Sequence, residues 1–179
     1  MDDQTGEALE QELRAFRHGK DAFMKGDPQS PLGPEQRRAF TGLLYYPFNP
    51  ALRLILPLER AVSRDVISME TSTAEQQDYR RAGTIRFQVD HQTAELVLYQ
   101  GPQGELFLPL RDATSGHDTY GAGRYLEPDL IDEERVLVDF NYLYNPYCAY
   151  NEGWSCPLPP RENWLGVPLT AGEKIFGHA

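Results

Sequence analysis

The chain has 179 residues, enough for one ordinary domain that closes its own hydrophobic core without staples. Against 17 Lys and Arg it carries 27 Asp and Glu, a net charge of −10, and a field of that sign argues against nucleic acid and anionic membrane as partners. The most apolar run, Leu52–Leu58, contains Arg53 and Pro57 and falls far short of the roughly 20 apolar residues that cross a bilayer. The start, Met1–Glu7, is acidic and polar, without the basic and apolar regions of a secretion signal. The expectation is a cytoplasmic protein, with Cys148 and Cys156 as thiols.

Leu9, Leu13, Phe16 and Phe23 fall at helical spacing, with Glu10, Glu12, Arg14 and Arg17 off that stripe, which predicts an amphipathic helix over 7–24. Gly26, Pro28, Pro31, Gly33 and Pro34 break it, and Pro34 suits the first position of a short helical turn reaching Phe40. Residues 41–50 are aromatic and proline-punctuated and read as an extended connector. The period then becomes two. Leu52, Leu54, Leu56 and Leu58 alternate as one strand, and Ile85, Phe87 and Val89 as another that turns through Asp90–Thr93 into Ala94–Tyr99. Gly101–Gly104 is a further turn leading to Leu106, Leu108 and Leu110, and Arg135–Phe140 and Trp164–Leu169 are the last predicted strands. The sum is a single domain over 1–179 of the α+β class, β-dominated. It is an antiparallel sandwich or barrel-like sheet (core 52–140 and 164–176) with an N-terminal helix packed outside and a long ordered loop over 141–163.

Between Tyr120 and Trp164 lie both cysteines, both tryptophans, six of the ten tyrosines and four of the five asparagines. A loop this long must satisfy its own backbone groups, and Asn, Asp and Tyr do that, so a self-bonded structural loop competes with a functional one. On the strand at 135–141, Asp139 and Asn141 share the face opposite Val136, Val138 and Phe140. They could orient a ligand or anchor the loop, and Arg124 is the candidate partner of Asp139. The run Tyr120-Gly121-Ala122-Gly123-Arg124 offers free amides beside a cation, suited to a carboxylate or phosphate. The plain alternative is a glycine turn leading into a strand. Cys148 or Cys156 with His117 or His91 would make a nucleophile and base; His18 lies in the first helix and His178 at the far end. The C-x7-C spacing fits neither a redox C-x-x-C nor a zinc knuckle, and small packed thiols are the simpler reading. Asp139 with Glu162 is the one carboxylate pair this region suggests for glycosidase-like chemistry.

The order Y-G-x-G-R-Y (120–125), D-F-N (139–141), Y-N-P-Y-C-A-Y-N (144–151), C-P-L-P-P-x-E-N (156–163) and A-G-E-K (171–174), with K-D-x-F (20–23) and S-P-L (30–32), resembles a bacterial and archaeal family. That family is catalogued as domain of unknown function 1684, and the likeness spans about 16–176. Ala122 and Leu143 stand where the family has glycine and alanine, and Trp154 where tyrosine is commoner. The resemblance brings no activity with it. It implies that the signature positions are Arg124, Asp139, Asn141, Asn145, Cys148, Tyr150, Asn151, Cys156, Glu162 and Asn163, with no histidine among them.

The functional expectation is a small ligand, anionic or otherwise, in a pocket beneath the 141–163 loop, with no assignable reaction and no named cofactor. Arg124 would hold the anionic group, Asp139 and Glu162 would orient it or exchange protons, and Asn141, Asn145 and Asn163 would position it. The competing expectations are a protein-interaction or self-associating module built on the aromatic loop, and a structural metal site at Cys148 and Cys156.

Overall fold

A computed structural model describes residues 3–63 and 65–177; His178 lies outside the described residues. Helix α1 (Asp3–Gly26) is followed by the short α2 (Pro34–Ala39), opened by Pro34. Nine strands follow in two antiparallel sheets. The smaller sheet has the order β1-β9-β8, from β1 (Arg53–Pro57), β9 (Arg135–Asp139) and β8 (Asp129–Leu130). The larger runs β2-β4-β5-β6-β7, from β2 (Glu59–Arg60), β4 (Gln76–Val89), β5 (Gln92–Gln100), β6 (Leu106–Leu110) and β7 (Arg124–Leu126), with β3 (Val66–Glu70) also paired to β4.

The main core lies between the sheets. Leu56 from β1, Val136 and Val138 from β9, Ile85 and Phe87 from β4, Leu96 and Leu98 from β5 and Leu108 and Leu110 from β6 meet there, as the alternation predicts. The alternate residues of β5 are buried too. Val97 and Tyr99 pack on the other face with Met69, Phe107, Tyr125, Cys148 and Cys156. The long loop is therefore a third layer over the outer face of the larger sheet. It holds three short 3-10 turns, Phe140–Tyr142, Tyr147–Ala149 and Arg161–Asn163.

Several sequence expectations change. The helix is longer than 7–24. Trp164–Leu169 is not a strand: it makes a single parallel bridge, Trp164 to Arg111, since Pro168 has no donor and Gly166 weakens extension. Strand β4 begins at Gln76 rather than near Ile85 because its first half, Gln76–Ala82, pairs β3 with mostly open faces, so no apolar alternation marks it. The β4–β5 hairpin closes on Asp90 and His91, both at positive φ (48° and 65°), as a two-residue turn matched to strand twist requires.

The C-terminal stretch 165–176, without strands of its own, bonds to the backbone at Leu44, Tyr46, Ala113 and Asp118 and wraps one buried side chain. Arg124, fully buried, donates from Nη1 to the carbonyls of Ala171 (2.5 Å) and Glu173 (3.0 Å). From Nη2 it donates to the carbonyl of Leu169 and to Asp112 Oδ2, both at 2.9 Å. Asp112 Oδ1 in turn accepts from Thr114 N (2.8 Å) and Thr114 Oγ1 (2.6 Å). Gly123 just before it sits at φ 105°, where a Cβ would lie 2.5 Å from the Leu110 carbonyl, so the glycine turn delivers Arg124 against β6. Removing one member of a buried pair strands a charge, which costs about 3–5 kcal/mol. Asp112→Ala is expected to lower the denaturant midpoint by that equivalent, whereas a loss below about 1 kcal/mol would show that the pair is not anchoring the tail.

Candidate functional site

A cavity of about 430 Å³ lies between α1 and the outer face of the smaller sheet. Leu9, Glu12, Leu13 and Phe16 come from one face of α1, at the spacing that places side chains one above another. Arg53, Leu137, Asp139 and Asp129 come from the smaller sheet, Leu126 and Glu127 from β7 and the turn after it, and Phe48, Tyr142 and Tyr144 complete the wall. In β1 and β9 these are the residues that alternate with the core set, so the two-residue period itself builds the cavity floor.

Its charge is one-sided: four carboxylates against the single guanidinium of Arg53. Arg53 and Asp139 are direct cross-strand neighbours and pair at 3.4 Å. Asp139 thus pairs with Arg53, not with Arg124. Glu127 accepts from the Tyr144 hydroxyl. Although more than a third of this residue is open, burial of the carboxyl raises its pKa above the ordinary glutamate value, partly offset by that bond. The side chains of Glu12 and Asp129 make no ion pair or hydrogen bond among the described residues.

Behind Tyr144 lies a buried polar cluster centred on Glu173, 1% exposed. Its carboxylate accepts from Lys20 Nζ, from Asn145 N (2.8 Å) and from the Tyr150 hydroxyl (2.7 Å). Lys20 also lies 4.9 Å over the Tyr144 ring and Arg17 4.3 Å over Tyr45. Burial, reinforced by Glu173, pushes the Tyr150 phenol well above its usual value and Tyr45 likewise. Both phenols stay protonated, and Tyr150 donates to Glu173. Gly172, at φ 75° and with a Cβ position 2.5 Å from the Leu143 carbonyl, lets the tail pass close enough to insert Glu173.

Of the residues singled out from sequence, only Asp139 lines this cavity. The asparagines act as backbone surrogates. Asn141 leaves the strand at the 3-10 turn; it takes Asn49 N on Oδ1 (2.8 Å) and donates to Asn49 O (2.9 Å) and to Asp139 Oδ1 (2.8 Å). Asn145 donates to Lys174 O at 2.9 Å, leaving its buried Oδ1 without a protein partner. Asn163, fully buried, accepts from Val97 N and donates to Val97 O and Pro109 O, each at 2.8 Å. It bridges β5 and β6 where Pro109 cannot donate. Asn151 caps its own turn at Gly153 N (3.0 Å). Glu162 is gripped by Arg81 (2.8 and 2.9 Å) and the Tyr99 hydroxyl. It shares no partner with Asp139, so the structure does not pair those carboxylates. Arg124, closed by carbonyls and Asp112, offers no face to an anion.

Sequence reasoning missed Glu12, Phe48, Glu127, Asp129 and Glu173 as site residues. The signal was Glu12 beside the Leu9–Leu13–Phe16 stripe, and the polar face of β9 read together with β1.

The thiols of Cys148 and Cys156 are buried and free. Cys148 N donates to Cys156 Sγ at 3.4 Å, and the Tyr120 hydroxyl donates to Cys148 Sγ at 3.7 Å. Among the described residues no histidine bonds either sulfur: His91 and His117 sit on exposed turns. Among the described residues no group of three or more His, Cys, Asp or Glu is placed to hold a metal, which leaves the metal reading without ligands. The hydrogen bond from Cys156, with those from Tyr120 and Ser72, outweighs burial and lowers the Cys148 thiol to about 6, while Cys156 is pushed up. Above about pH 6 the folded chain has given up a proton that an unfolded thiol keeps until about 8.5. Stability from this group therefore grows between those values and is lost as pH falls through 6. Thiolate absorbance near 240 nm should rise by one cysteine with a midpoint near pH 6, absent in Cys148→Ser; a single rise in the ordinary thiol range would contradict it.

An uncharacterized protein of Haloarcula marismortui, solved by solution NMR, is 38% identical, with a TM-score of 0.74 over 99% of this chain and 100% of that one. No curated protein matches. The family model described as "Protein of unknown function (DUF1684)" matches residues 38–174, more than half of the chain, and the protein belongs to that family.

Proposed function

We propose that the chain binds a small organic cation in the cavity beneath α1, its apolar part against the aromatic wall. The observation that carries this reading is the lining: Glu12, Glu127, Asp129 and Asp139 with Phe16, Phe48, Tyr142 and Tyr144, against one arginine already paired. Carboxylates supply the Coulombic attraction and ring faces the quadrupole that an ammonium group seeks. The volume fits a compact ligand with a ring or short chain. This replaces the anionic ligand expected from Arg124, whose guanidinium is enclosed. The reading is one of binding, with no reaction assigned.

Calorimetric titration with benzyl- and alkylammonium ions, against carboxylates of the same skeletons, tests it. The ammonium series is expected to bind and the carboxylates not. Glu12→Gln with Asp129→Asn is expected to weaken binding roughly tenfold at low salt and less at high salt, since both groups are solvent-facing. Preference for the carboxylates, or no binding by folded protein, would overturn it.

A further inference from the structure

Cys148 sits on the 3-10 turn Tyr147–Ala149, and Cys156 returns the chain at the end of the turn that follows. Between them Asn151, Glu152, Gly153 and Trp154 are exposed. That turn is held by Gly153 N to Asn151 Oδ1 and by the Trp154 ring on Tyr147, 5.0 Å between centroids. Cys156 is fixed from the other side: its amide donates to Ser72 Oγ at 3.1 Å and its carbonyl accepts from Ser72 N at 2.8 Å. The 3.4 Å contact from Cys148 N to Cys156 Sγ brings the second sulfur against the first residue's backbone. The neighbouring Cys156 also lowers the pKa of the Cys148 thiol. Among the described residues no third His, Cys, Asp or Glu joins the two sulfurs to hold a metal. Each cysteine keeps a small exposed fraction, 7% and 8%, beside the exposed Ser72 and the half-buried Tyr120.

We propose that Cys148 and Cys156 are a redox-active pair that closes to an intrachain disulfide by exchange with a low-molecular-weight disulfide and reopens with a small dithiol. The Cys148 thiolate, formed by loss of its proton to solvent, attacks one sulfur of the reagent RSSR. The reagent's S–S bond breaks, RS⁻ leaves, and a Cys148–SR mixed disulfide forms. Cys156 then loses its proton, and its sulfur attacks the Cys148 sulfur, displacing a second RS⁻. Two cysteines have each lost a hydrogen, and one RSSR has become two RSH after the thiolates take up the released protons. Cys148 is the attacking sulfur because it accepts the Tyr120 hydroxyl's bond and its thiol is the one held low. The resulting ring pins the exposed 151–154 turn to the outer layer of the larger sheet.

The full chain is exposed in its folded state to bis(2-hydroxyethyl) disulfide, quenched in acid, denatured and alkylated, and its intact mass measured. Wild type is expected to lose two hydrogens, carry no adduct and take up no alkyl group, and dithiothreitol is expected to restore two alkylatable thiols. Cys156→Ser is expected to stop at one mixed disulfide, and Cys148→Ser to react more slowly by at least tenfold. Two alkylated thiols in exposed wild type, a persistent wild-type adduct or a disulfide-linked dimer would each overturn the proposal. The wild-type masses decide it even where a serine variant does not fold.

Discussion

A fully buried guanidinium organises this fold. A charge taken out of water is costly unless it is paired and hydrogen-bonded, and the two Nη atoms of Arg124 meet four acceptors: Asp112 and the carbonyls of Leu169, Ala171 and Glu173. Three of those belong to a tail that forms no strand. The tail follows Arg124, and by following it carries Glu173 inward to receive Lys20 from α1 and Asn145 and Tyr150 from the long loop. One cation on β7 thus fixes the helix, the loop and the tail about a common point. The opening between α1 and the smaller sheet is set by that arrangement.

The same logic explains the asparagine-rich loop. Segments that run beside one another without a ladder still have donors and acceptors to satisfy. Asn141, Asn145 and Asn163 satisfy them with side-chain amides, at Asn49, at Lys174 and between Val97 and Pro109. An amide carries both a donor and an acceptor, as a peptide unit does, so it substitutes for a strand partner where carboxylates could not. The signature positions of the loop are therefore chiefly its fastenings, and the cavity lies beside them.

Much of this was legible in the chain. The stripe through Leu9, Leu13 and Phe16 marked α1, and the alternation at 52–58, 85–99 and 106–110 marked the central strands, because those residues bury one face. Gln76–Ala82 escaped because it buries neither face consistently, and Trp164–Leu169 misled because spacing cannot show that a segment lacks a partner. The concentration of Asn, Tyr and Cys located a special region but not its purpose, since a ligand and a backbone carbonyl ask for the same amide. The cavity was least legible. Its walls join Glu12, Arg53, Asp129 and Tyr144, four segments whose meeting is decided by sheet order rather than by any local pattern.

If the loop's polar residues hold the structure and the proposed cation enters the space beneath α1, amide chemical-shift mapping during titration with benzylammonium separates the two regions. The expected changes lie at residues 9–16, 48–53, 126–129 and 137–144, with 145–163 unmoved. Shifts centred on 145–163 with α1 silent would overturn this reading.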